Sequence, residues 1–363
     1  MQILKPIEIK FRRAAVRILK YLVHRKEAPR QNVNYNNVKV LFLRLQRIGD
    51  LLMTVPLFYA LKDHFPKIVI DLLLGESNAH VLGYEPTIRR ELIYRKHPRA
   101  ILRLLKELRQ EQYDFLIDPA EESSTTATLF CLLSKARCTV GFEKENDFIY
   151  NIKVSMPSRS EHHFVDRLAQ ILTIFGIDPS EEDLRLRYTV LSASRAFAQG
   201  FMNRAGIRDQ KRFGINISAG SEARFWGVEK FGALVEAVEK RYPSFGVVLL
   251  CTPRDIARAE TIHQRCPRTV LAPSVEDFNR FAALIETLDI LLTPDTSTVH
   301  LAAAFNIPSV ILYVHDKPYL MPCTPYRTRS EAVITHHSDL SAVSVEEVLE
   351  AIGRLIDPEI FSG

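Results

Sequence analysis

Three short stretches of this sequence gather residue types that do chemistry. RLQRIGDLLMTVP (44–56) sets Asp50 directly after Gly49, where an apolar run gives way to a helical pattern. ISAGSEARFWGVEKF (217–231) puts Ser218, Ala219, Gly220 and Ser221 ahead of Arg224, the single tryptophan Trp226, and Lys230. LLTPDTSTVHLAAAF (291–305) sets Asp295, Thr296, Ser297 and Thr298 before His300 and a run of alanines. Small residues let backbone N–H groups approach a phosphate, and hydroxyls with free N–H groups at a helix start suit an anion. Arg224 and Lys230 would add positive charge there, although GxxxxGK[ST] is absent. Asp295 would repel a bare phosphate, so it is expected to cap and order its loop through backbone N–H groups. Asp50 fits two tasks: a carboxylate favouring a helix dipole, or a general base at the floor of a cleft. Gly49 is expected to turn the chain tightly before it. Spacing alone leaves both tasks open.

The elements that must carry these residues alternate. VKVLFLRL (38–45) reads as a buried strand, 51–65 as a helix, and KIVIDLLL (67–74) as a second strand. ELIYR, AILRLLKELRQ, YDFLID and TTATLFCLLSKA continue the pattern, and CTVGF is expected to close the first half near residue 143. After a helix over 162–176 the alternation restarts. Strands are expected at 213–218, 245–251, 289–293 and 309–314, with helices between them. Near-continuous apolar strands alternating with helices mean a parallel sheet covered on both faces. In such sheets ligands bind beyond the carboxyl ends of the strands, and a cleft between two halves is the expected place.

Bulk properties narrow the options. A chain of 363 residues suggests two domains. The five cysteines form no CxxC pair and no metal-ligand spacing, and no Asp-x-Asp occurs. Reduced thiols are therefore expected and a metal site is not. Residues 1–30 hold nine Lys or Arg against Glu8 and Glu27, a net +7, so the remainder carries −2 of the overall +5. A nucleic-acid-binding body should carry its own basic face, so that class is disfavoured. Leu4, Ile7, Phe11, Ala14, Ile18 and Leu22 form one stripe on a helix, with cations around it. Arg17 and Lys20 break any run long enough for a signal core or a membrane span. The expectation is a helix lying on an anionic membrane surface, each cation adding roughly 1 kcal/mol. A helix docked on its own body or on a partner subunit is the alternative. NVNYNNVK (32–39) reads as a linker.

Together and in this order, the three motifs resemble glycosyltransferase family 9, whose best-known members are ADP-heptose:lipopolysaccharide heptosyltransferases. The family's R-x-x-x-h-G-D-h-h-h-T-x-P matches Arg44, Gly49, Asp50, Thr54 and Pro56. Its K-R-W-P-x-E-R-F is similar to Arg224-Phe225-Trp226-Gly227-Val228-Glu229-Lys230-Phe231. Its N-D-[TS]-G-x-x-H-L-A-A-A is similar to Pro294-Asp295-Thr296-Ser297-Thr298-Val299-His300 and the alanines that follow. YDFLIDPA, ARCTVGF and the pair His163 with Arg167 match weaker positions, and the resemblance runs from about residue 38 to 340.

The resemblance implies an α/β GT-B fold, two Rossmann-like doubly wound domains facing a central cleft; the basic amphipathic N-terminal helix expected from the residues would precede them. The expected boundaries are 1–37 for that helix and linker, 38–190 for the acceptor-binding domain, and 191–363 for the nucleotide-sugar domain. It implies metal-independent, inverting transfer of a heptose from ADP-heptose to a lipopolysaccharide core sugar, with no cofactor. The acceptor would be a lipid-linked saccharide at the cytoplasmic face of the inner membrane, and no nucleic acid is a partner. Asp50 matches the family's base. Arg44, Arg47, Glu121 and Glu122 fall on the acceptor side. Ser218, Gly220, Arg224, Lys230, Asp295, Thr296, Ser297, Thr298 and His300 fall on the donor side, with Asp255 expected at the ribose hydroxyls. A GT-B enzyme using a UDP- or GDP-sugar, or a non-catalytic sugar-binding protein at the membrane surface, are the alternatives.

Five positions depart from the family pattern. Ser297 stands for Gly, adding a Cβ that matters if the site needs φ > 0. Phe225 stands for Arg and Gly227 for Pro. Glu121 and Glu122 stand where relatives often show Gln-Gly and then a basic residue. A less basic acceptor side leads to the expectation of an acceptor less anionic than that of the best-known members.

Overall fold

The computed structural model describes residues 35–315 and 323–356. The expected N-terminal helix, within residues 1–30, lies outside them. The chain divides into two compact units. One comprises residues up to Ser158 with Val165–Leu184, the other Arg159–Phe164 with Arg185 onward.

The first unit holds β1 (Lys39–Arg44), β2 (Val69–Gly75), β3 (Arg90–Tyr94), β4 (Phe115–Asp118), β5 (Cys138–Phe142) and β6 (Ile152–Val154). All pairings are parallel, in the order β3-β2-β1-β4-β5-β6. Its helices are α1 (Ile48–Leu52), α2 (Val55–His64), α3 (Pro98–Glu111), α4 (Thr125–Leu133) and α5 (Phe164–Ala169). Burial explains the strands: β1 (KVLFLR) is covered at every position but its first, as a central strand with helices on both faces must be. Leu41, Leu43, Leu105, Leu108 and Phe130 form part of one core layer. Tyr35, Phe115 and Phe175 join an aromatic cluster with ring centroids 5.1–6.2 Å apart, so the segment after α5 helps complete this core.

The sequence pattern and the structure differ at three places here. The single helix over 51–65 is two helices, because Pro56 has no N–H to give the Leu52 carbonyl four residues back. The first half does not close at residue 143: β6 adds a sixth strand, too short at three residues to show in the pattern. The helix over 162–176 is α-helical only for α5; residues Gln170–Phe175 continue as a 3-10 helix ended by Gly176 at φ +76°.

The second unit repeats the plan. It holds β7 (Lys211–Asn216), β8 (Phe245–Leu250), β9 (Val270–Leu271), β10 (Ile290–Pro294), β11 (Ser309–Val314) and β12 (Ser330–Thr335). They pair in parallel in the order β12-β11-β10-β7-β8-β9. Its helices are α6 (Ser192–Arg204), α7 (Val228–Arg241), α8 (Ile256–Arg265), α9 (Phe278–Glu286), α10 (Thr298–Ala304) and α11 (Val345–Ile356). The core packs α7, α8 and α11 on β7, β8, β10 and β11, through Phe231, Ile262, Leu292 and Ile352 among others.

Counted within each unit, both sheets run 3-2-1-4-5-6. In both, the chain turns one way after the first strand and the other way after the fourth. That reversal opens a crevice beyond the carboxyl ends of those two strands, where doubly wound sheets hold their ligands. In this protein the places are the ends of β1 and β4, and of β7 and β10.

Candidate active site

Asp50 sits in the first turn of α1, six residues past the end of β1, and is half-buried. Gly49 before it is not among the residues with positive φ and lies inside α1, so the expected tight turn is a helical residue instead. Arg44, the last residue of β1, is only 4% exposed and so does not stand open to an acceptor. Its Nε donates to Thr54 Oγ1 at 2.7 Å, and that hydroxyl donates to the Asp50 carbonyl at 2.7 Å. Burial pulls the Arg44 guanidinium down to about 10, while Asp50, Asp118 and Glu121 favour its charged form. It remains a cation at neutral pH. Arg47 caps α1 and is exposed.

Behind these residues lies a group that the sequence did not single out. Asn78, fully buried, donates to the Arg44 carbonyl at 2.8 Å and accepts from Gly75 N–H at 2.9 Å, clamping the ends of β1 and β2. Asp118 ends β4 and is 1% exposed; it takes Lys144 Nζ at 3.0 Å and the Tyr150 hydroxyl at 2.6 Å. Burial first, and then the Asp118 charge, raise the Tyr150 phenol far above its usual range. Glu121 pairs with Arg167, which also donates to the Pro157 carbonyl at 2.7 Å. Glu122 is exposed. A cavity of about 1290 Å³ opens here, lined by Gln46, Ser77, Tyr94, Glu121, Glu122 and Lys144 among others. The available signal was the Asp ending YDFLID, a charged residue closing an apolar strand.

In the second unit the expected donor residues meet at the ends of β7 and β10. Asn216, the last residue of β7, donates to Thr293 Oγ1 at 2.9 Å and Thr298 Oγ1 at 3.3 Å, tying the two strand ends together. Ser218 is buried and its Oγ accepts from Thr252 N–H at 2.8 Å, fixing the loop to the end of β8. A Cβ at Gly220 would meet open space. Arg224 reaches across to Asp295, 3.1 Å from its carboxylate and 3.2 Å from its carbonyl. An acidic residue in this loop therefore has a cation to answer, beyond the capping role expected of it. Thr296 Oγ1 accepts from Thr298 N–H at 3.3 Å.

Ser297 caps α10 with φ −58°, an ordinary helical value, so its Cβ costs the backbone nothing. His300 is 6% exposed, and its Nδ1 has no partner. Burial first, and His163 second, pull its imidazole down to about 3, so it is neutral at physiological pH. His163 itself bonds the Thr324 carbonyl at 2.9 Å.

Two of the expected donor residues are engaged elsewhere. Lys230 Nζ donates to the Val343 carbonyl at 2.6 Å and to Ser341, beside Trp226, whose indole N–H reaches Val343 at 3.0 Å. Both side chains bind α7 to the loop before α11. Asp255 is 2% exposed and paired with Arg258 at 3.2 Å and Arg254 at 3.6 Å, with the Thr252 hydroxyl donating to it at 3.2 Å. Phe225 lies under the Arg258 guanidinium, 4.1 Å from ring centroid to carbon.

Two doubly wound α/β units carry hydroxyl- and charge-bearing loops past their strand ends, where such sheets hold their ligands. Residues 101–352 match the family described as glycosyltransferase family 9 (heptosyltransferase), and the chain belongs to that family. It is a glycosyltransferase, with the α/β GT-B fold. It is 24% identical to lipopolysaccharide heptosyltransferase 3 of Escherichia coli over 85% of this chain and 96% of that protein. Among solved structures it resembles a family 9 glycosyl transferase from Veillonella parvula DSM 2008, with TM-score 0.77 and 19% identity, over 90% of this chain and 99% of that one. It also resembles E. coli heptosyltransferase WaaC with ADP-2-deoxy-2-fluoro heptose, with TM-score 0.69 and 16% identity, over 87% and 99% of the two chains.

Proposed function

We propose that this enzyme moves a heptose from ADP-heptose to a sugar of the lipopolysaccharide core, inverting the anomeric centre, without a metal, and with Asp50 as general base. The observation that carries the reading is placement. The Asp50 motif lies past the end of β1, and the donor motifs lie past the ends of β7 and β10, the crevice positions of each sheet. The names of the relatives add lipopolysaccharide and heptose, and one solved relative was captured with an ADP-heptose analogue.

An acceptor hydroxyl attacks well only if a carboxylate takes its proton as the bond forms, worth about 10²–10⁴ in rate. Asp50 is half-buried at the crevice and carries no competing side-chain bond among the described residues, which suits it to that task. The departing ADP gathers negative charge on its diphosphate. Arg224, Ser218, Thr296, Ser297 and Thr298 supply the cation and hydroxyls to meet it, and the open space beside Gly220 leaves room for the phosphates. Donors positioned in this way act as oxyanion-hole groups do. His300, held neutral, can bond a phosphate oxygen without trading a proton with the medium.

On the acceptor side the cavity's cations are few. Lys96 and Lys144 share the lining with Glu76, Glu121, Glu122 and Glu145, and Lys144 is committed to Asp118. That supports an acceptor without a bare phosphate next to the reacting hydroxyl.

The test is incubation with ADP-heptose and a set of truncated core acceptors, phosphorylated and dephosphorylated, read by mass spectrometry. Transfer is expected to the dephosphorylated set; clear preference for the phosphorylated one overturns the acceptor assignment. Asp50→Asn is expected to cost at least about 10² in turnover while ADP binding persists. Stronger thermal stabilisation by UDP or GDP than by ADP would move the donor to another nucleotide. The basic N-terminal segment is proposed to hold the enzyme on the inner membrane surface. Co-sedimentation with anionic vesicles, with and without residues 1–34, decides that.

A further inference from the structure

The charge of Arg44 faces three carboxylates, Asp50, Asp118 and Glu121. Two of them already have cations. Asp118 takes Lys144 as well as the Tyr150 hydroxyl, and Glu121 takes Arg167. Asp50 has no side-chain partner among the described residues. On the other side of the ledger, Arg44 spends Nε on Thr54, and its Nη2 is buried with no acceptor at all. A buried N–H left unpaired is unfavourable, and such a group needs an explanation.

The unmatched cation and the unmatched carboxylate also share a hydrogen-bond chain. Arg44 Nε holds the Thr54 hydroxyl, and that hydroxyl holds the Asp50 carbonyl. We infer that Arg44 is a positioning residue for Asp50: through Thr54 it fixes the turn that presents the carboxylate to the acceptor hydroxyl. The inference rests on Asp50 being the base.

Other charged groups around the pair do not supply this. Arg47, on the same turn, is exposed and screened by water. Lys144 and Arg167 are occupied, and Asn78, which packs on the end of β1, is neutral.

The experiment measures kcat, donor KM and the thermal midpoint in wild type, Arg44→Gln, Thr54→Val, the double variant of both, and Asp50→Asn. Each single variant is expected to lower kcat about tenfold or more with the donor KM unchanged, and the double variant to lose no more than the worse single one, because both break one hydrogen-bond chain. If Arg44 is only scaffold, the losses multiply and follow the thermal midpoint, and the inference falls. Wild-type turnover in D50N would remove the base itself, a failure visible independently of Arg44. Thr54→Ser keeps the hydroxyl and is expected to restore the rate; a T54V enzyme as fast as wild type overturns the relay.

Discussion

His300 is neutral because the fold refuses its proton. Its imidazole is buried beside His163, and its folded value near 3 lies well below the usual 6.5. Below pH 6.5 the unfolded chain binds a proton there and the folded chain does not, so acid favours unfolding. The slope is about 1.4 kcal/mol per pH unit from pH 6.5 down to about 3. Unfolding midpoints measured from pH 7 to pH 5 should therefore fall for wild type and fall less for His300→Gln. This burial was not legible in the sequence, where a His inside a helix looks the same whether buried or exposed. Ser297 teaches the reverse. Its replacement of the family's Gly looked costly, yet φ −58° at that position asks for no glycine. Asp50 was visible because Gly49-Asp50, with Arg44, Thr54 and Pro56 at their spacings, matches a whole family motif, whereas a carboxylate at a helix start alone would not have stood out. Asn78 and Lys144 were not, because only the folded chain brings residues 34 and 26 positions away against Arg44 and Asp118.

At the scale of elements, the motif around Trp226 divides into two kinds of work. Arg224 faces the Asp295 loop, while Trp226 and Lys230 fasten α7 to Val343. Gly227 sits between them as the cap of α7 at φ +103° and ψ 141°, a conformation proline cannot take. This chain therefore enters α7 by a different backbone route from the proline of the family pattern. A Cβ at Gly227 would meet nothing within 4 Å, so Gly227→Ala should cost only backbone strain, about 1–3 kcal/mol in urea unfolding. Gly141 offers a contrast, since a Cβ there would fall 2.3 Å from the Tyr150 ring. Long apolar strands such as β1, β2, β8 and β11 announced themselves. Strands β6 and β9, of three and two residues, are too short to carry a period. Helix α11 was legible in principle: Val348, Ala351, Ile352 and Leu355 recur at helical spacing, and all are buried.

For the whole molecule, alternation gave the fold class because both sheets are entirely parallel and each needs helices between its strands. Among the described residues no helix is long and apolar enough to cross a membrane. The division into units could not be read locally, because the chain visits the second unit at Arg159–Phe164 and returns to the first for Val165–Leu184. That excursion has a consequence for synthesis. β1 is made first yet lies between β2 and β4, and the aromatic cluster that holds Tyr35 waits for Phe175. A nascent chain that has emerged only as far as Ser158 thus has its six strands but an unfinished core. It is a target for chaperones and proteases until another score or so of residues clears the ribosome. Fragments ending at Ser158 should be cut rapidly by a non-specific protease, and those ending just past Leu184 should resist it. Equal lability would mean that the first unit matures only once the second has been made.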